Sequence, residues 1–389
     1  MKPGRLRRFL FVSVPALVVS ALVMAVLIEG WVRFTWDPKR GSPGFFVTDA
    51  TRGQRLGANY DGWFAGVPVK TNALGFRATR DFDLKKGPKT FRILVLGDSV
   101  TFGHGAVHDY PSLLQGLLEK ARPDVEWQVW NLGVPGYNTS QELAHLLEVG
   151  PAYHPDLVIV GFFINDIIGN VPVPHRGVAA RAAAGGLAFL QQHWYSFELY
   201  KRIILTAAWR LSGTAASRSR FESLESEEQA TIHLDALAES SKQQITPFDQ
   251  LSEAAAAAQQ CTEGMRPSAK DLADMEAQPD WPAFLDAVHG FQKLNREGAY
   301  KIVFFLNLIP PACSGDDFFY DGKSIEHAFF LKLFSDAAPT VSAYPAFLRV
   351  KPSQMPLAEA HAIGNANELK AEILFQFLQS TGRLAPSAQ

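Results

Sequence analysis

The chain has 389 residues, of which 47% are hydrophobic and 20% charged, with a formal net charge of -2. That balance excludes a disordered or strongly basic chain, and with it nucleic acid as a partner, while the length allows several domains or one enlarged α/β domain. Cys261 and Cys313 either pair in an oxidising compartment or stand as unrelated thiols, and no Cys/His cluster has metal-site spacing, so neither metal nor cofactor is implied.

At the amino terminus Lys2, Arg5, Arg7 and Arg8 precede Phe9 to Ile28, a run without charge, and Glu29, Trp31 and Arg33 follow. Twenty helical residues reach about 30 Å, the thickness of a bilayer's hydrocarbon. A cleaved signal peptide would have a shorter apolar run and a small-x-small site, whereas VLIEGW reads as the end of an uncleaved anchor. Basic residues ahead of the span place the amino terminus in the cytoplasm and the rest outside, predicting a single-pass inner-membrane protein with a periplasmic domain. Pro15 can kink the span without excluding it. The chain divides into residues 1–33, basic tip and transmembrane anchor; 34–88, a stalk and strand-poor lead-in; and 89–385, the main domain, with a helical insertion at about 170–280.

Strand and helix alternate from Phe91. FRILVL enters Gly97 as a buried parallel strand enters a turn, and Ser99 follows at its carboxyl end. Pro111–Ala121 predicts a helix with Leu113, Leu114, Leu117 and Leu118 on one side. Val125–Leu132 predicts a second strand, stopped by Gly133. Ser140 is the expected N-cap of the next helix, whose stripe is Leu143, Leu146 and Leu147, with His145 facing solvent. Leu157–Phe163 predicts a third strand ending at Asn165-Asp166, and Lys301–Leu308 a fourth. Between them lies an excursion, apolar and aromatic from Leu187 to Leu211, then rich in Ser, Glu, Ala and Gln. Trp281–Glu297 and Ala366–Gln379 predict helices, the last with Leu369, Ile373 and Phe377 on one face. Such alternation means a parallel sheet covered by helices.

In such a sheet the strand ends share one edge, so Ser99, Gly133 and Asn165 converge there. A serine hydroxyl is a weak nucleophile until a base takes its proton, and His361, in a loop-like run before the terminal helix, can reach the same edge. Glu359 could orient its ring. The backbone N–H groups of Ser99 and Gly133 and the side-chain amide of Asn165 are candidate donors to an oxyanion. His104 and His108 are rival bases, while Asp98 and Asp166 read as turn and helix-cap residues. Gly103 and Gly105 lack the spacing of a phosphate loop.

Four blocks carry a resemblance: Gly97-Asp98-Ser99, Gly133 within NLGVPGYNT, Asn165-Asp166 within DLVIVGFFIND, and His361 ahead of a terminal helix. In this order they resemble the SGNH (GDSL-type) hydrolase family, and the lead-in TNALGFR resembles that of its membrane-associated bacterial members. The resemblance implies a flavodoxin-like three-layer sandwich and a Ser-His-acid site acting through an acyl-enzyme on an ester, commonly of a glycan, lipid or small molecule. Carried over, Ser99 is the nucleophile, His361 the base, and Ser99, Gly133 and Asn165 the oxyanion hole. The last block departs from the family, which has Asp two or three residues before the His and Pro-Asn after it. Here Ala358-Glu359 precede and Ala362-Ile363 follow. Water as acceptor makes an esterase and a sugar hydroxyl an O-acyltransferase; a catalytically silent scaffold is the reading from another class.

Overall fold

The computed structural model describes residues 9–36, 42–65, 67–78, 81–172, 176–212, 269–308, 313–314, 317–318, 325–347, 357–358, 361–362 and 364–384. The first helix, α1 (Val14–Thr35), continues from a π-helical turn at Phe9–Ser13. Pro15 sits in its first turn, where a missing N–H leaves no hydrogen bond unmade. Phe11–Thr35 is long and apolar enough to cross a membrane, and none of its most apolar stretch is buried against the rest of the chain.

Two antiparallel hairpins follow, β1 (Phe46–Asp49) with β2 (Gly53–Leu56) and β3 (Asp61–Phe64) with β4 (Val67–Lys70). The main domain then runs β5 (Thr90–Gly97), α2 (Ser99–Phe102), α3 (Tyr110–Ala121), β6 (Glu126–Gly133), α4 (Thr139–Tyr153), β7 (Leu157–Phe162) and a 3-10 turn at Ile164–Ile167. The excursion contributes α5 (Val178–His193), α6 (Phe197–Ser212) and α7 (Ala269–Glu276). The chain returns through α8 (Trp281–Arg296), β8 (Ile302–Leu306), a short β9 (Cys313–Ser314) and β10 (Asp317–Phe318), α9 (Ile325–Ala337), β11 (Thr340–Ser342) and α10 (Tyr344–Phe347). Finally β12 (Leu357–Ala358) pairs with β13 (His361–Ala362) ahead of α11 (Asn365–Ser380).

The central sheet has the order β11-β8-β7-β5-β6 with every pair parallel. Numbered along the sheet's own strands this is 5-4-3-1-2, the flavodoxin-like order, whose switch point lies between β5 and β7. Alternate residues serve opposite layers. Leu94, Leu96 and Phe304 face a cluster with Leu146, Phe284, Phe330 and Phe334. Ile93, Val95 and Phe305 face one with Leu114, Leu118, Leu374 and Leu378. Helices therefore cover both faces, giving the three-layer sandwich.

Several local expectations change. The stretch expected as a strand-poor stalk forms hairpins whose Leu56, Tyr60, Val67 and Val69 pack with Phe102, Val134 and Tyr137 at the site edge. A fifth strand, β11, joins the sheet; three residues behind an Ala-Pro step carry too little periodicity to be read. The N-cap of α4 is Asn138, whose side chain accepts from Gln141 N–H while Gln141 caps it in return, so Ser140 lies inside the helix. Leu147 faces outward. His145 is only 3% exposed, enclosed by the rings of Phe76 and Tyr137, and burial holds its imidazole well below the usual histidine range. The fully buried face of α11 is Ala366, Lys370, Ala371, Leu374 and Leu378; Leu369, Ile373 and Phe377 flank it, because a lysine interrupts the stripe that apolarity alone would trace. Cys261, one of the two cysteines that could pair, lies outside the described residues.

Candidate active site

Ser99 opens α2 directly after β5. The Asp98 carboxylate caps this turn, accepting from Val100 N–H at 2.8 Å, and Phe102 N–H closes it on Asp98 O at 2.9 Å. The turn lies on the sheet edge because glycines make room. Gly97 pairs with Gly133 on one side and Gly161 on the other. A Cβ on Gly133 would stand 2.3 Å from Phe102 N, and one on Gly161 would stand 2.4 Å from Thr101 Oγ1 and 2.6 Å from the Tyr110 hydroxyl. Overpacking of this kind costs about 1–3 kcal/mol. Gly161→Ala is therefore expected to lower the unfolding free energy from urea denaturation by that order and to reduce activity, both measured on the purified variant.

His361, on β13, comes to Ser99 from the far end of the chain. Its Nε2 is 2.7 Å from Ser99 Oγ, and Asp98 Oδ2 lies on the same hydroxyl at 3.1 Å. The hydroxyl has one proton, so it can point to only one of them at a time; pointed at a bare Nε2, it is set for proton transfer. Of the rival bases, His104 stacks on His361, with ring centroids 4.3 Å apart and planes 16° apart. The backbone carbonyl of His108 accepts from Asn367 Nδ2, tying the site loop to α11. Glu359 lies outside the described residues.

The oxyanion candidates are placed differently from one another. Asn165 sits in the 3-10 turn after β7, and its side chain reaches the Asp98 carboxylate. The N–H of Gly133 is donated to Asn131 Oδ1 at 2.9 Å, while Asn131 Nδ2 donates to Thr101 O at 3.0 Å, so Asn131 fastens the second block to the Ser99 turn. Sequence reading assigned Asn131 nothing. Nor did it assign chemistry to Arg77 of TNALGFR, which is buried and donates to the carbonyls of Phe102, Gly103 and Ala106, with Asp109 beside it. A lone charge closing the otherwise uncharged TNALGFR was the available signal. Below the turn Thr101 Oγ1 and the Tyr110 hydroxyl share a hydrogen bond of 2.8 Å.

Three buried carboxyls surround this edge. Burial raises Asp98, opposed by the Val100 N–H, the Asn165 side chain and the His361 ring. Burial, and then the charge of Asp98, push Glu142 and Asp166 well above the usual carboxylate range. The one charge is thus best held on Asp98, next to His361. Burial also lowers the Lys370 ammonium to about 7, an effect the charge of Asp98 opposes. Glu142 carries a testable sign. Its folded pKa lies above its unfolded one, so above the ordinary carboxylate range the unfolded chain binds fewer protons than the folded one and stability falls as pH rises. Glu142→Gln removes that loss: its thermal midpoint relative to the native chain is expected to be higher at pH 8 than at pH 5, where the native carboxyl holds its proton.

The model of the GDSL-like Lipase/Acylhydrolase family matches residues 95–220. That span contains the first three blocks. Among solved structures, LAE5, an α/β hydrolase enzyme from the metagenome of Lake Arreo, is 14% identical over 76% of this chain and 96% of that one, with a TM-score of 0.36. A variant of Axe2, an acetyl xylan esterase from Geobacillus stearothermophilus, is 12% identical over 77% and 97%, with a TM-score of 0.38. A two-domain esterase active on acetylated mannans is 12% identical over 77% of this chain and 51% of that one, with a TM-score of 0.33. The fold is read from the sheet order above and not from these likenesses. Comparison with curated proteins gives no match. With its Gly-Asp-Ser turn, switch-point sheet and matched span, the chain carries a GDSL-like lipase/acylhydrolase domain, the domain of a serine hydrolase acting on an ester.

Proposed function

We propose that the protein is a membrane-anchored periplasmic esterase in which Ser99 and His361 form and hydrolyse an acyl-enzyme. The observation that carries this reading is the 2.7 Å approach of Ser99 Oγ to His361 Nε2 across the length of the chain. Ser99 Oγ attacks the ester carbonyl carbon while its proton passes to Nε2. The tetrahedral intermediate collapses, and the departing alcohol oxygen takes that proton as its bond to carbon breaks. Water then attacks the acyl group, gives a proton to Nε2, and the carboxylic acid leaves as Ser99 recovers its own. The charge of Asp98 favours the imidazolium formed in each half, and Glu359 is assigned the other ring nitrogen.

The oxyanion meets the N–H of Ser99 and the amide of Asn165. The N–H of Gly133 can join them only by leaving Asn131 Oδ1. Beyond it the N–H of Val134 is likewise already given, to Gly97 O at 3.0 Å. The charge-free run Phe9–Ile28, with basic residues ahead of it, supports anchoring and a periplasmic domain. A cell-envelope location makes an acyl group on a glycan or lipid the fitting substrate. Hydrolysis of p-nitrophenyl acetate by the full chain in detergent, compared with Ser99→Ala, tests the enzyme; equal inertness of two folded proteins would favour the silent scaffold. Product analysis with acyl donor and glycan together separates the acceptors. Free acid alone supports the esterase, and acylated glycan the O-acyltransferase.

A further inference from the structure

The end of the apolar helix is built into the main domain at one place. Glu29, the first charge after the uncharged run, accepts hydrogen bonds from Tyr195 N–H at 3.0 Å and Ser196 N–H at 2.8 Å, at the start of α6. Arg33, one turn later, pairs with Glu29 at 2.6 Å, donates to His193 O and lies 4.5 Å from the centre of the Tyr195 ring. Trp36 meets the same ring edge-on. A carboxylate at a helix start also complements the helix dipole. If Phe9–Ile28 fills the hydrocarbon, this aromatic and charged cluster sits at the level of the headgroups, where Trp, Tyr and Arg collect. The start of α6 is therefore held at that level.

α6 itself has no buried residue. One face carries Tyr200, Ile203, Ile204, Ala207 and Leu211 at helical spacing, with Ile203 54%, Ile204 64% and Leu211 88% exposed, while Leu205 and Trp209 are half-buried on the opposite side. Lys201, Arg202 and Arg210 outnumber the single Glu198 on the remaining surface. A helix of this pattern has no reason to keep isoleucine and leucine in water, and beside a bilayer it has an apolar phase within reach. The preceding helix, α5, fixes the arrangement to the site edge. Gln191 Oε1 accepts from Thr48 N–H, Gln192 Nε2 donates to Ala58 O, and the hairpins they hold send Gln54 Nε2 to Pro135 O in the loop after β6.

We propose that α6 is a second membrane contact, lying in the headgroup layer with Ile203, Ile204 and Leu211 toward the acyl chains, so that the domain is held at a set orientation to a lipid surface. The inference rests on the reading of α1 as a membrane anchor, and the test keeps the two apart. The full chain is placed in nanodiscs of phosphatidylethanolamine and phosphatidylglycerol doped with a phosphatidylcholine carrying a diazirine on its acyl chain. After irradiation, adducts are mapped by mass spectrometry. Adducts on both α1 and 197–212 are expected. The variant I203E/I204E/L211E is expected to lose those on 197–212 by roughly tenfold or more while keeping those on α1, its thermal midpoint and its esterase rate on a soluble ester in detergent. Adducts confined to α1 in the native chain overturn the inference and leave the anchor standing, as does undiminished labelling of 197–212 in a folded variant. No adducts on α1 would overturn both. Should the variant fail to fold, the native map alone decides between these outcomes.

Discussion

Ser99→Ala is expected to lower the turnover of p-nitrophenyl acetate by about 10⁴-fold or more, and His361→Ala by a similar factor, with the double variant no worse than either. The non-additivity follows from the geometry. A hydroxyl without a base and a base without a hydroxyl are both inert, because one proton moves between Ser99 Oγ and His361 Nε2 at 2.7 Å. What activity remains comes from oxyanion donors and substrate binding, which neither change removes. Far-ultraviolet circular dichroism and the thermal midpoint should stay near those of the native chain, since Ser99 contributes no backbone support to its turn beyond what alanine retains. A full rate in His361→Ala would transfer the base to His104, whose ring already lies against it.

The second large effect is expected at Asn165. Asn165→Ala should reduce kcat by about 10²- to 10³-fold, the typical cost of one oxyanion donor, with KM changed little. The asymmetry between the two constants is the informative part. A donor that meets the oxygen only when it bears charge strengthens the transition state and not the bound ester. A loss carried entirely by KM would instead make Asn165 a substrate-binding residue. Its contact with Asp98 adds a structural role, so the thermal midpoint must be measured on the same sample.

Much of the domain was legible because its signals are local. The run FRILVLG, the helix at Pro111–Ala121 and the strand ends at Gly133 and Asn165-Asp166 each combine an apolar pattern with a stop, and β5, α3, β6 and β7 lie where those patterns put them. The pairing of the hairpins was not read, since four-residue strands with Gly and Pro in them look like coil. His145 was misplaced because one imidazole inside a helix says nothing of what encloses it; the rings of Phe76 and Tyr137 come from elsewhere in the chain. The buried lysine in α11 broke the stripe that apolarity traces.

By itself the sequence determined the chemical kinds of residue and the order in which strands bring them to one edge: a serine after a strand, an amide after another, a histidine before the last helix, and a charge-free run in front of all of them. Those follow from patterns spanning a few residues. Tertiary structure alone decided that the N–H of Gly133 is already given to Asn131 and that Glu29 locks the end of the apolar helix to α6. Each of these is a contact between segments far apart in the chain or a competition for one hydrogen bond. The distances that settle such contacts arise only when the packed layers bring the segments together.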